Sequence, residues 1–164
     1  MMISERMAAR LNEQINHEFF NMWTYYSMAY WFENAGLTVF AKYFQKQAKE
    51  EQGHGEKIAK YLIDQGAHVR LASLPAPVVD YKSAKEIVEA FIQHEVKTTK
   101  MVHEIVDMAI KENDHATRNF IDWKVDEQVE EVASANELAQ MVRYAETPGQ
   151  LMMLEGRVYH MLEK

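Results

Sequence analysis

Apolar residues recur at steps of three and four along four long stretches of the chain, the period of a helix that buries one face. Only Pro75, Pro77 and Pro148 punctuate it, so the stretches between them read as uninterrupted helices. The first is predicted from its N-cap Ser4 to about Asn34, with Gly36 beyond its end. The second runs from near Thr38 to about residue 65, before Gly66. The third opens on Ser83 with Glu86 three residues later, a capping box, and runs to about Glu112. After a turn at Asn113-Asp114, the fourth spans about 114–145. Thr147, Pro148 and Gln150 make a second capping box, opening a short fifth helix over 148–162. Short links pair the first helix with the second and the third with the fourth as antiparallel hairpins. The link from Ala67 to Lys82 is long: at ~3.3 Å per extended residue it reaches ~50 Å, against ~42 Å for a helix of ~28 residues. The predicted fold is all-α. It is one domain over residues 1–164, a four-helix bundle with one long crossover between the second and third helices and a short C-terminal fifth helix.

The seams of these helices are not purely apolar. The first reads Leu11, Ile15, Glu18, Met22, Tyr25, Ala29, Phe32, and the second Phe40, Phe44, Gln47, Glu51, His54, Ile58, Tyr61. The third reads Val88, Phe91, Glu95, Thr98, Val102, Ile105, Ala109, and the fourth Thr117, Ile121, Lys124, Gln128, Glu131, Ala135, Leu138, Val142. Each seam carries a carboxylate near mid-helix, and in an antiparallel bundle mid-helix positions meet at one height. One isolated carboxylate in a core costs roughly several kcal/mol, and four facing one another cost more. Oxygen ligands with one imidazole suit hard or borderline divalent metals, iron among them. Glu51 and His54, spaced i, i+3, project from one helix face. They form one half of a pattern with a Glu on each of two helices and Glu-x-x-His on each of the other two. The fourth helix departs from it, with Gln128 and Glu131 where a second Glu-x-x-His would stand. A second metal therefore has carboxylates and at most an amide, which suits an ion that moves on better than a permanent cofactor. Lys124 is expected to snorkel from its seam.

Composition narrows the partners. A net charge of −7 argues against nucleic acid or an anionic membrane. The absence of cysteine excludes disulfides, zinc-thiolate sites and a rubredoxin-type iron centre. No run of ~18 uncharged apolar residues is present to span a membrane, and the N-terminal stretch lacks a signal-peptide core. A cytoplasmic protein is expected.

Four motifs in this order and spacing, LNEQINHE (Leu11–Glu18), KEEQGH (Lys49–His54), HE (His94–Glu95) and FIDWKVDEQVEE (Phe120–Glu131), resemble the ferritins, specifically the haem-free bacterial and archaeal type. The resemblance covers nearly the whole chain and weakens in the fifth helix. It implies Glu18, Glu51 and His54 as ligands of a first iron, with Glu51 bridging to a second held by Glu95 and Glu131, Gln128 close by. It implies a third iron site from Glu50, Glu127 and Glu130 with Glu131 shared, Tyr25 bonding a ligand carboxylate and acting in catalysis beside Glu51 and His54, and Trp123 as a nearby aromatic. It further implies a 24-subunit shell in which iron(II) is oxidised by O2 or H2O2 and stored as a ferric mineral. Bacterioferritins are similar but carry the symmetric ligand pattern and a haem-binding methionine on the second helix. Gln52 follows Glu51 here, so no haem is expected despite eleven methionines. The acidic pair that lines the pore of animal ferritins falls on Arg118 and Ile121, so that entry route is not carried over.

Other residues read as structural. Phe19, Phe20, Trp23, Tyr26, Tyr30 and Trp31 belong to core or subunit interface, and Met152-Met153 to packing of the fifth helix. His94, His103 and His115 lie outside the ligand set, His160 and Lys57 on the surface. Gly53 and Gly55 mark either a close backbone approach or drift in a long helix. A rubrerythrin-like peroxidase wants cysteines that are absent, and a metal-free scaffold does not call for a complete ligand set.

Overall fold

Ser4 starts the first helix as a side-chain cap, its Oγ accepting from Met7 N at 2.9 Å. In this computed structural model, which describes residues 2–164, the helices are α1 (Glu5–Asn34), α2 (Thr38–Asp64), α3 (Ala84–Glu112), α4 (His115–Phe120), α5 (Asp122–Arg143) and α6 (Pro148–Leu162). No strand occurs among the described residues. Gly36 ends α1 at φ +75° and Gly66 follows α2 at φ +76°, the left-handed conformation that a glycine adopts without a Cβ clash. Ser83 caps α3 by accepting from Glu86 N, but the Glu86 carboxylate reaches back to Lys82 N rather than to the cap residue itself. The Thr147 box at α6 is complete.

The fourth rod of the bundle differs from expectation. Instead of one helix over 114–145 it is two, α4 and α5, jointed at Ile121. There the Ile121 carbonyl is shared, accepting from Lys124 N at 2.9 Å and Val125 N at 3.2 Å, a locally tightened turn. An Arg118–Asp122 ion pair spans the joint.

The crossover runs the length of the bundle, tied to α1. Asn12 donates to His68 O (3.0 Å) and accepts from Arg70 N (2.6 Å). Asn16, one turn on, repeats this with Arg70 O (2.9 Å) and Ala72 N (2.8 Å). Ser27 donates to Val78 O and Trp31 Nε1 to Tyr81 O. Asn12 to Trp31 is about 29 Å of helix. These bonds satisfy backbone groups that no secondary structure pairs.

The seams face inward as their period requires. Every seam position is buried except Met22 and Tyr61, which are half-buried. The core is split in two. One apolar cluster centres on Phe32, Phe40, Phe44 and Phe91 and includes Val158 and Met161 of α6. The other holds Met7, Leu11, Ile15, Ile58, Leu62, Val102 and Ile105. Between them lies a polar layer. On α6 the buried side is Val158 and Met161, while Met152 and Met153 are 62% and 83% exposed. The methionine pair therefore does not pack within the chain, because it sits on the helix face opposite the bundle.

Candidate metal centre

Glu18, Glu51 and Glu95 are fully buried, and Gln128 and Glu131 are nearly so. They come from four different rods, at the height where the two apolar clusters part. Ligand atoms of Glu18, Glu51 and His54 lie close enough together to hold one metal ion. His54 Nδ1 is 3.3 Å from Glu51 Oε1 and 3.8 Å from Glu18 Oε2. A second group joins His54 to Glu127 and Glu131, with His54 Nε2 3.5 Å from Glu127 Oε1. His54 thus stands between two clusters.

Three of the four inner carboxylates are held by a neighbour. Gln14 donates to Glu18 Oε1 (2.7 Å) and Asn21 to Glu51 Oε2 (3.3 Å). Glu95 receives Tyr25 OH at Oε1 (2.5 Å) and Gln128 Nε2 at Oε2 (3.2 Å). Glu18 Oε2, Glu51 Oε1 and Gln128 Oε1 are buried acceptors with no hydrogen-bond partner. Buried acceptors are rarely left unpaired, and three in one layer fit a cation. Glu95 belongs to the layer but to neither converging group, and both its oxygens accept hydrogen bonds.

The electrostatics follow from burial. Burial raises Glu18 to about 7 against the pull of Lys124. It raises Glu131 to about 9, with the Glu95 and Glu51 charges adding to it. Glu51 and Glu95 are raised for the same reason. Burial pushes the Tyr25 phenol well above its ordinary range. His54 is lowered by burial and then by Lys124, so the imidazole is neutral at neutral pH. Lys124 donates to Nδ1 at 2.7 Å, which places the ring proton on Nε2, facing Glu127.

Lys124 corrects the sequence reading. It does not snorkel: it is completely buried, and Nζ lies 3.5 Å from Glu18 Oε2. Burial acts to lower its pKa, but Glu18, Glu51, Glu95 and Glu131 together outweigh that and raise it. A long stem turned inward finds better solvation among carboxylates than an apolar seam offers on its way out.

Glu50, Glu127 and Glu130 with Glu131 line a cleft of about 380 Å³ together with Tyr43, Gln47 and Ser134. Glu50 and Glu130 join no converging group among the described residues. Trp123 tilts against His54 at 5.5 Å between ring centroids, and the Lys57 ammonium sits 3.7 Å over its face. His94 packs edge-on to Tyr25, while His103, His115 and His160 are exposed, outside the layer. Gly55 is a close approach: a Cβ there would stand 2.6 Å from Phe19 Cε1, whereas one at Gly53 would meet nothing within 4 Å.

Sequence reasoning missed Gln14 and Asn21, and the chain His17–Thr98–Asn21 that orients the latter (2.8 and 2.9 Å). A polar stripe, Gln14, His17 and Asn21, beside the seam of α1 was the available signal.

A helical bundle with a buried layer of carboxylates and one imidazole defines the class of carboxylate metal bundles. This chain belongs to the ferritin-like family, whose domain profile matches residues 8–144. It is 38% identical over 130 residues to the bacterial non-heme ferritin of Staphylococcus haemolyticus, covering 79% of this chain and 78% of that one. It is 37% identical over 132 residues to that of Staphylococcus aureus, covering 80% of each. An open-pore ferritin of the hyperthermophilic archaeon Archaeoglobus fulgidus superposes with a TM-score of 0.92 at 38% identity, over 95% of this chain and 97% of that one. A closed form of the same ferritin, engineered by site-directed mutagenesis, gives 0.91 at 38% identity, over 95% and 96%. No helix among the described residues is long and apolar enough to cross a membrane.

Proposed function

We propose that this chain is an iron-storage ferroxidase. It oxidises iron(II) at a dinuclear centre inside each chain and stores iron(III) as a mineral within a hollow assembly of its own copies, a 24-subunit shell. The observation that carries the reading is the buried layer in which Glu18 Oε2, Glu51 Oε1 and Gln128 Oε1 make no hydrogen bond while their other atoms are held. Pre-positioned oxygen acceptors of this kind suit a hard cation.

In this reading Glu18, Glu51 and His54 bind the first iron, and Glu51 is shared with a second beside Glu95, Gln128 and Glu131. Two iron(II) ions give up one electron each. With two protons this reduces O2 to H2O2, or takes H2O2 to two waters. Anionic oxygen ligands favour iron(III), and the paired sites orient the oxidant. Glu50, Glu127 and Glu130, with the buried Glu131 behind them, offer an acidic ledge for iron leaving the centre.

The test is anaerobic addition of iron(II) to purified metal-free protein, then air, following ferric-oxo absorbance with size exclusion in parallel. Rapid oxidation with mineral retained in a large particle is expected, and Glu51→Ala or His54→Ala abolishes the fast phase. Two irons bound per chain in a small oligomer without mineral would point to a di-iron enzyme. No oxidation above the protein-free control would leave a scaffold.

A further inference from the structure

We propose that Lys124 is a tethered cation that competes with the first iron for His54 Nδ1 and Glu18 Oε2; this rests on the dinuclear reading above. Lys124 Nζ lies 2.7 Å from His54 Nδ1 and 3.5 Å from Glu18 Oε2, two of the three atoms that converge on that position. A neutral imidazole nitrogen has one in-plane lone pair. It accepts an N–H or binds a metal, not both. Iron and the ammonium therefore exclude one another at Nδ1, and metal entry requires the Lys124 side chain to change rotamer.

Lys124 belongs to the seam stripe Ile121–Lys124–Gln128–Glu131, where an apolar side chain would fill the same space at no charge cost. Its single positive charge partly offsets the four buried carboxylates of the layer. Two opposite consequences follow. The ammonium supports the metal-free protein, and it weakens binding of the first iron relative to the same ligands without it. Lys124 thereby sets the iron(II) concentration at which the centre loads.

The measurement is anaerobic calorimetric titration of the assembled protein with iron(II) alone, at one fixed pH, for wild type, Lys124→Met and Lys124→Arg. Met keeps the length and removes the charge. Loss of a unit charge at this range is expected to tighten the first iron by on the order of 10-fold or more, while the thermal midpoint of metal-free Lys124→Met falls. Lys124→Arg, which keeps the charge, binds no tighter than wild type. If Lys124→Met does not assemble, Lys124→Gln carries the same test. Unchanged or weaker binding in the neutral variants would overturn the inference and make Lys124 a packing or positioning residue. Wild type binding no iron(II) at the centre, with Glu51→Ala no different, would overturn the dinuclear reading together with it. Binding in wild type that is equal in Lys124→Met overturns the Lys124 inference alone.

Discussion

Two carboxylates of the buried layer have one oxygen held by an amide and the other turned, without a hydrogen bond, toward His54 and Lys124. Gln14 holds Glu18 and Asn21 holds Glu51 in this way, each from one side. Glu95 differs, with Tyr25 on one oxygen and Gln128 on the other. Tyr25 is the residue whose role separates most clearly from packing, since removing its hydroxyl leaves the ring and its edge contact with Phe91 in place. Tyr25→Phe leaves a buried acceptor on Glu95 unpaired. It is expected to cost about 1–3 kcal/mol, read as a lower thermal midpoint. Stopped-flow ferric-oxo absorbance is expected to show oxidation slowed roughly tenfold or more, at about 1.4 kcal/mol per decade. A variant oxidising iron at the wild-type rate would reduce Tyr25 to core filling.

Helix α2 carries two elements of instruction that its own sequence does not explain. Its N-cap, Leu37, makes no side-chain cap. Glu155 of α6 does so from outside, accepting from Val39 N at 2.7 Å and Phe40 N at 3.4 Å. An anionic acceptor suits a helix N-terminus, and here it also docks α6. Glu155→Ala is expected to cost about 1 kcal/mol and to speed hydrogen exchange across 148–162 while sparing α3. Unchanged exchange there would mean that Val158 and Met161 hold α6 without it. The second feature is the glycine pair. Gly53→Ala adds a methyl to open space and is expected to stabilise by roughly 0.5–1 kcal/mol. Gly55→Ala drives that methyl into Phe19 and is expected to lower the midpoint by an amount equivalent to about 1–3 kcal/mol. Equal effects of the two substitutions would show that Phe19 moves aside freely.

At the scale of the whole molecule, the face along α1 and the crossover remains unpaired within one chain. Trp23, Tyr30 and Val79 are 52%, 60% and 61% exposed and line one cleft with Tyr26, Trp31 and Pro77. Exposed aromatic patches of this kind mark association surfaces. Under the shell reading, another copy of the chain covers them. Tyr30→Glu is therefore expected to yield small species by light scattering with helix content unchanged by circular dichroism. Full-size particles would place the subunit contact elsewhere.

Periodicity was enough for the bundle and for the residues of the buried polar layer, because burial of one helix face is a local pattern and a carboxylate on it stands out against apolar neighbours; the crossover was legible from the length of the link that carries Pro75 and Pro77. Glu18, Glu51, His54, Glu95, Gln128 and Glu131 were legible for that reason, and the seam positions lie inside apart from half-buried Met22 and Tyr61. The caps at Ser4, Ser83 and Thr147 were legible because their partners lie three residues away. What remained hidden has partners far along the chain. Lys124 occupies a seam position whichever way its stem turns, and only the convergence of three other rods makes inward the favourable direction. Asn21 acquires its task from Glu51 and Thr98, and Glu155 from the start of α2. The exposure of Met152 and Met153 likewise depends on which face of α6 docks on the bundle. Spacing along a helix records which face a residue shares; what stands opposite that face is set when the rods pack together.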